Sequence, residues 1–490
     1  MKPSSFAVAG LLLLASATCF SQQDVLTQAS GLELQGHFKE AAATLDSALA
    51  GKTLAPAQRK QLEFELDRLE RIKRDFPFTK DGLLAALKKS VKDLTPGEFD
   101  KWVSEGRFDS REIDGSCYFM TSSVRNLFFR YPELAARQVP PKDTTKLQKA
   151  RLESCRAIKQ AAAAERKPYV LPKRFHATMT VTAKANAVAP GETVRAWLPL
   201  PRQYPYQTDF ELASATPTPR QLAGKDSPIR SAYTEQLALK DKATEFKIQF
   251  DYTTFGVKFD VKPEAVQPCE ADPPDTKQFT REGPHVVFTP ELRALSAQIV
   301  GNETNPCLKA KKCFDWIAEH IRYSFAIEYS TIRNISDYCR SKGYGDCGQE
   351  AMLFISLCRL NGVPARWQSG WNTFPGDEDI HDWCEIYLAP YGWMPVDPYM
   401  GIFAMQYAPA LAPAERREIR DFFFGGLDQY RMAANGDHSQ TLTPPKQSMR
   451  SDDVDFQRGE LEADNHNLYF DRYNYEFNLK EIKLPHGKID

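Results

Sequence analysis

Several features that mark common protein classes are missing from this sequence. Lys and Arg total 63 and Asp and Glu total 64, and the two signs are mixed along the chain, so no basic stripe is available to bind nucleic acid. No pair of cysteines has CxxC spacing, and neither an HExxH motif nor a comparable His/Cys cluster occurs. We therefore expect no nucleic-acid partner, no metal and no other cofactor.

Long apolar segments are also missing, apart from one near the N-terminus. The apolar residues 6–15 are fewer than the roughly 20 that span a bilayer. They follow Lys2 and precede the small and polar residues 16–21, which is the three-part pattern of a secretory signal peptide. We assign residues 1–21 to such a signal, and we expect an exported bacterial protein, periplasmic or secreted, with no membrane span after signal removal.

Cysteine is too scarce for a disulfide scaffold, although export would allow disulfides to form. The chain has 10 cysteines in 490 residues, and one of them, Cys19, belongs to the predicted signal. Removal of the signal leaves an odd number, so at least one thiol in the mature chain is unpaired or bonded to another chain.

The length and the changing residue pattern predict several domains, because a single core stops growing well below 490 residues. Helical periodicity, as at Leu62, Leu66, Leu69 and Ile72, predicts a helical accessory region over residues 22–167. Alternating apolar and polar residues predict a β-sandwich module over 168–262, and the Pro-rich residues 263–284 suggest a linker.

The remainder of the chain predicts a mixed core followed by an extension. Apolar spacing and stop signals predict helices over 290–300, 306–321 and 349–360, and strands over 365–371, 382–388 and 393–397. These elements form an α+β catalytic core over 285–410. The aromatic-rich residues 411–490 predict an ordered β-rich extension, so the predicted fold class is multidomain α+β.

A thiol, an imidazole and a carboxylate occur in an order that suits an activated nucleophile. Cys347 stands at the predicted start of a helix, His381 follows 34 residues later, and Asp397 follows 16 residues after that. In this arrangement Cys347 attacks, His381 carries the thiol proton and Asp397 orients the imidazole. We expect the helix N-terminus to lower the pKa of the Cys347 thiol, and the Cys347 amide to contribute to an oxyanion site.

Three nearby residues compete for these roles and are excluded by geometry. Cys358 is 11 residues beyond Cys347, about 16 Å along a helix, which is too far to share one imidazole. Cys384 is three positions from His381 on a strand and therefore points to the opposite face. Asp382 is the immediate strand neighbour of His381, so we reject it as the orienting acid for the same reason.

The motifs around these residues resemble the transglutaminase-like core of the papain-type cysteine enzymes. The resemblance covers about residues 290–401 and rests on six segments: 294–317, Ile321-Arg322-Tyr323, 343–348, 362–366, His381-Asp382-Trp383 and Val396-Asp397-Pro398. It implies that the catalytic triad is Cys347, His381 and Asp397, and that the preceding β module is the sandwich found in exported bacterial members. It also implies acyl transfer through a thioester.

The resemblance leaves the acyl acceptor open. Animal transglutaminases carry an aromatic residue directly after the nucleophile, whereas this chain has Gly348, and no acidic loop matches their calcium sites. We therefore expect an exported cysteine hydrolase, a peptidase or amidase, acting on a protein, peptide or cell-wall amide. The alternatives are a protein-glutamine gamma-glutamyltransferase, which replaces water by an amine, and a non-catalytic scaffold with a vestigial core.

Overall fold

The structure is a computed structural model that describes residues 22–51, 54–269, 273–464 and 466–484. The predicted signal peptide, residues 1–21, lies outside the described residues. In the part of the chain that is described, no helix combines the length and the hydrophobicity that crossing a membrane requires.

The N-terminal third of the chain is helical around one small hairpin. Its helices start where the sequence supplies caps: the Thr79 and Thr95 hydroxyls accept from backbone amides three residues later. Leu62, Leu69 and Ile72 are buried, in agreement with the predicted periodicity. The elements are α1 (Gln22–Leu34), α2 (Phe38–Leu49), α3 (Pro56–Asp75), α4 (Lys80–Ser90), α5 (Pro96–Ser104), β1 (Ser110–Ile113), β2 (Ser116–Phe119), α6 (Ser123–Arg130) and α7 (Thr145–Glu165).

A pair of five-stranded sheets follows and packs face to face. Alternate residues of the long strands, such as Phe246, Ile248 and Phe250, point into the shared core, because strand side chains alternate between faces. The strands from this part of the chain are β3 (Tyr169–Ala183), β4 (Thr193–Pro199), β5 (Gln207–Thr216), β6 (Gln221–Leu222), β7 (Ser231–Leu237) and β8 (Thr244–Lys258).

The next part of the chain forms a helical layer against a sheet. Short 3-10 helices at Pro263–Ala265 and Pro274–Thr280 occupy the predicted linker. The elements that follow are α8 (Pro290–Val300), α9 (Pro306–His320), β9 (Arg322–Tyr323), α10 (Ile335–Lys342), β10 (Tyr344–Gly345), α11 (Cys347–Leu360), β11 (Ala365–Asn372), β12 (Asp379–Leu388), β13 (Gly392–Val396), α12 (Pro398–Gln406) and α13 (Pro413–Phe422). The predicted helices and strands of this region are confirmed within a few residues at their ends.

The C-terminal part of the chain supplies strands to sheets built by earlier segments. It contributes β14 (Gly426–Leu427), β15 (Arg431–Asn435), β16 (Glu460–Ala463), β17 (His466–Leu468) and β18 (Tyr473–Ile482). One sandwich sheet has the order β14-β8-β3-β18 with β5 also on β8, the other has the order β17-β16-β4-β7-β6, and the core sheet has the order β13-β12-β11-β15. The α+β class is confirmed, while the domain boundaries stay predictions.

Candidate active site

Cys347 is the first residue of α11, the most buried helix of the core. The Asp346 carboxylate caps this helix by accepting from the Gln349 amide at 3.1 Å, and the Gln349 side chain reaches back to the Asp346 amide. The preceding helix α10 ends at Gly343, whose φ of +70° is a left-handed conformation that glycine adopts without strain. Cys347 as a residue is partly exposed, and it lines a cavity of about 340 Å³.

His381 and Asp397 form a buried pair beside the start of α12. His381 lies in β12, and its Nε2 is 2.8 Å from Asp397 Oδ2. Asp397 is the N-cap of α12 and its other oxygen accepts from the Met400 amide at 3.2 Å. Burial raises the pKa of the Asp397 carboxyl, but its interactions with His381 and Arg431 outweigh burial and hold it below its usual value. Asp397 therefore faces the imidazole as a carboxylate.

Arg431 is a member of the site that the sequence analysis missed. It lies in β15, 34 residues after Asp397, and its Nη1 is 2.9 Å from Asp397 Oδ2. Its Nη2 lies 3.2 Å from Asp428 Oδ2, and Arg151 of α7 reaches the same oxygen at 3.1 Å. All four side chains are at most 2% exposed. Only the fold brings these residues together, so no local sequence pattern signals them.

The immediate polar neighbour of the thiol is Asp382, which the sequence analysis rejected only as an orienting acid. Asp382 Oδ2 lies 3.6 Å from Cys347 Sγ and 3.1 Å from the Tyr329 hydroxyl. The same hydroxyl is 2.7 Å from Asp346 Oδ1. Since Asp382 follows His381 directly in β12, this contact brings the thiol to the segment of β12 that carries the imidazole.

The expected lowering of the thiol pKa is wrong. Burial raises the pKa of the Cys347 thiol well above its usual value, and the nearby carboxyls of Asp382 and Asp346 raise it further. The helix N-terminus favours a thiolate, yet burial and two acidic neighbours outweigh this partial charge. The thiol at rest therefore holds its proton, and a base must accept that proton when the sulfur attacks.

Gly348 is required by this packing. A Cβ atom at position 348 would overlap the Tyr329 hydroxyl and would lie 2.7 Å from Asp382 Oδ2. The aromatic residue that follows the nucleophile in animal transglutaminases has no room here. The departure from that pattern therefore follows from the side chains packed around the thiol.

The competing residues lie as expected from strand and helix geometry. Cys358 is fully buried, and Cys384 Sγ, also fully buried, donates to the Val396 carbonyl at 3.2 Å. His381 takes its carboxylate partner from Asp397 rather than from Asp382. Within the described ranges, no group of three His, Cys, Asp or Glu side chains is arranged to hold a metal ion. The catalytic roles of Cys347, His381 and Asp397 stay predictions.

Comparison with known proteins assigns the segment that carries these residues. Residues 293–398 match the model of the transglutaminase-like superfamily. This segment is a transglutaminase-like domain. It contains Cys347, His381 and Asp397, while the helical region, the sandwich sheets and Arg431 lie outside the matched residues.

Similar proteins cover parts of the chain at low identity. The chain is 20% identical over 235 residues to a Haemophilus influenzae protein named only as uncharacterized. The match covers 43% of this chain and 63% of that protein, less than two thirds of its length. A solved Cytophaga hutchinsonii protein, provisionally named a cysteine protease, is 14% identical with a TM-score of 0.41, covering 65% of this chain and 94% of that one. The periplasmic domain of TgpA from Pseudomonas aeruginosa is 14% identical with a TM-score of 0.26, covering 49% and 91%.

Proposed function

We propose that this protein is an exported cysteine enzyme that cleaves an amide or peptide bond through a thioester on Cys347, with water as the acyl acceptor. The observation that carries the proposal is the site itself: Cys347 lines a cavity and contacts Asp382, the strand neighbour of His381, and His381 forms a buried pair with Asp397 within the same transglutaminase-like domain. Export rests on the signal pattern of residues 1–21.

The proposed reaction has two balanced halves. In the first, Cys347 Sγ forms a bond to the substrate carbonyl carbon while the thiol proton moves to the His381 imidazole, and the carbonyl oxygen becomes an oxyanion. The tetrahedral adduct then collapses, the C–N bond breaks, and the imidazolium gives its proton to the leaving amine. In the second half, water attacks the thioester carbon and gives a proton to His381. The C–S bond then breaks, the imidazolium returns the proton to the Cys347 sulfur, and the carboxylic acid leaves.

Asp397 and Arg431 explain why His381 can act in this way. The Asp397 carboxylate, 2.8 Å from Nε2, stabilises the imidazolium that forms when His381 takes the thiol proton. Arg431 keeps Asp397 ionised inside the protein, where an unpaired carboxyl would be protonated. Because the resting thiol pKa is raised, proton transfer accompanies the attack rather than preceding it.

A second candidate is transfer of the acyl group to a primary amine. The observation that favours it is the acidic lining of the cavity: two arginines, Arg125 and Arg458, face six acidic side chains, namely Glu328, Asp346, Asp379, Asp382, Asp452 and Asp455. The acidic groups that are ionised attract a cationic amine toward the thioester; Asp382, whose pKa burial raises, does not add to this charge while it is protonated. Water and amine therefore compete for the same intermediate.

The test uses the purified protein and a panel of peptide, isopeptide and cell-wall amides. We expect the wild type to release amine from at least one amide class without any added acceptor, and the Cys347→Ala variant to release none. Cys117→Ala, which changes an exposed cysteine outside the site, is the matched control and retains activity. Equal turnover by wild type and Cys347→Ala would overturn the proposal.

An added amine separates the two acceptors. If water is the acceptor, an excess of a fluorescent primary amine leaves the yield of free carboxylic acid nearly unchanged. Acyl product that carries the fluorescent amine instead of a free carboxyl group would identify a transferase. If no amide is cleaved and no amine is incorporated at any pH, the protein is a scaffold with a vestigial core.

A further inference from the structure

A second donor to the oxyanion is missing from the mechanism above, and one acidic side chain lies where such a donor is needed. We propose that Asp382 is a catalytic residue, whose carboxyl group carries a proton and donates a hydrogen bond to the substrate carbonyl oxygen as Cys347 attacks. The proposal rests on the function proposed above. In this step the carboxyl proton stays on Asp382, while the C–S bond forms and the thiol proton goes to His381.

The distance between the carboxyl and the sulfur fits this role. Asp382 Oδ2 is 3.6 Å from Cys347 Sγ. In the tetrahedral adduct the substrate oxygen is two bonds from the sulfur, so a donor at this distance from the sulfur is within hydrogen-bond reach of that oxygen. Both groups line the same cavity, from which a substrate carbonyl reaches the thiol.

The hydrogen bonds around Asp382 leave a proton on Oδ2. The Tyr329 hydroxyl has one proton, and its shorter contact is with Asp346 Oδ1 at 2.7 Å. The Tyr329 oxygen then turns a lone pair toward Asp382 Oδ2 at 3.1 Å, which is favourable only if that oxygen carries a proton. At rest this proton bonds to Tyr329, and during the reaction it turns to the oxyanion.

The other oxygen of the carboxyl is fixed from the opposite side. Gln457 Nε2 donates to Asp382 Oδ1 at 2.7 Å and to the His381 carbonyl at 3.0 Å. Two acceptors on one nitrogen settle the orientation of this amide, because a flipped amide would present its oxygen to both. The carboxyl is thus held with Oδ2 toward the thiol.

The electrostatic surroundings favour the neutral form of Asp382. The side chain is 2% exposed, and burial raises its pKa well above the usual value, with Asp346 as the next cause. Arg458 lowers this pKa, but its nearest carboxylates are Glu328 and Asp452, each at 3.6 Å. The titratable or charged groups that face Asp382 are Asp346, Cys347, Tyr329, Asp455 and Arg458.

Two substitutions separate donation from a purely structural role. Asp382→Asn keeps a donor that cannot ionise, and Gln457 holds its oxygen so that the new NH₂ group lies toward the sulfur. Asp382→Ala removes the donor. Asp437→Asn is the matched control, since it neutralises an acid whose pKa burial also raises and that does not line this cavity.

The kinetic test measures kcat and KM of all four proteins across the pH range with one cleaved amide. We expect Asp382→Ala to lower kcat about 10²- to 10³-fold with little change in KM, the usual loss for one oxyanion donor. Asp382→Asn stays within about tenfold of wild type near neutral pH, because its amide replaces the donor. Because the pKa of Asp382 is raised, wild type loses this proton only at alkaline pH. The fall of kcat at alkaline pH should therefore be weaker in Asp382→Asn than in wild type.

An alkylation measurement adds a readout that does not depend on turnover. Iodoacetamide labelling of Cys347 at neutral pH reports the fraction of thiolate, and because a protonated Asp382 carries no charge, Asp382→Asn and Asp437→Asn should both label at about the wild-type rate. Wild-type kcat in Asp382→Ala, an equal loss in the Ala and Asn variants, or much faster labelling of Asp382→Asn than of wild type, which would show that Asp382 is ionised, would each overturn the proposal. Absence of Cys347-dependent turnover in wild type would overturn the proposed function and this inference with it.

Discussion

Replacing Arg431 with Met tests whether this residue from β15 supports the triad carboxylate. The Met side chain fills similar space but leaves Asp397, which is 0% exposed, without its cation. At 2.9 Å and an effective dielectric constant of about 20, the lost attraction between Arg431 and Asp397 is about 6 kcal/mol before any relaxation. Removal of one partner from a buried pair typically costs about 3–5 kcal/mol, and we expect a loss of unfolding free energy in this range.

The assay is urea unfolding near neutral pH, with Arg156→Met as the matched control. Arg156 pairs with Glu418 on the surface, where solvent screens the pair, so we expect its replacement to leave the unfolding free energy near that of wild type. The pKa of Asp397 is lower in the folded protein than in the unfolded chain. This carboxyl therefore stabilises the folded protein at pH values above its unfolded pKa, and this stabilisation disappears as the pH falls through its folded pKa. In Arg431→Met the pKa of Asp397 rises, and the acid limb of kcat/KM moves to higher pH. Equal stability of the two variants, or an unmoved acid limb, would refute the reasoning.

Two further predictions concern packing at the thiol and acid stability. Gly348→Ala should lower the unfolding free energy by about 1–3 kcal/mol and slow turnover, because the new methyl group overlaps the Tyr329 hydroxyl. The control Gly97→Ala, whose new methyl group meets no atom within 4 Å, should do neither. Equal melting temperatures of the Gly348→Ala and Gly97→Ala variants would contradict this prediction. Burial lowers the pKa of His438 to about 3 in the folded protein, whereas the usual pKa of a histidine is about 6.5. Between these two values the unfolded chain binds more protons than the folded protein, so the unfolding free energy falls as the pH drops, by up to about 1.4 kcal/mol per pH unit. His438→Phe should weaken this slope in urea titrations at pH 7, 5 and 4, and an unchanged slope would argue against it.

The elements of the transglutaminase-like domain were predictable because their signals are local. Asp346 and Gln349 mark the start of α11, and Gly362, with a φ of +79°, follows its end. Strands β11 to β13 are apolar runs between turn residues. The pairing of His381 with Asp397 follows from their placement at the ends of neighbouring strands, β12 and β13.

The rest of the site depends on contacts between residues that are distant in sequence. Arg431 reaches Asp397 because β15 adds to the edge of β11, and Arg151 joins from a helix 277 residues before Asp428. The thiol pKa was predicted with the wrong sign because the helix terminus is visible in the sequence, whereas the burial of the thiol and its contact with Asp382 are not. No local pattern announces such long-range pairs.

The C-terminal strands show the same limit on a larger scale. Their aromatic content predicted ordered β structure, but the partners of these strands lie hundreds of residues earlier: β18 pairs with β3 from Tyr473 opposite Ala183 to Ile482 opposite Arg174. The alternating pattern of β18 fits any exposed sheet edge, so the sequence does not select this one.

The central claim is that Cys347 carries the acyl group, and the most direct test is to trap that intermediate. Full-length protein is mixed with a cleaved amide, quenched rapidly in acid, and digested for mass spectrometry. The account predicts an added acyl mass on the peptide that contains Cys347, which hydroxylamine removes and which is missing in Cys347→Ala. Product formation without any acyl mass on Cys347, or an acyl mass on another cysteine, would contradict it.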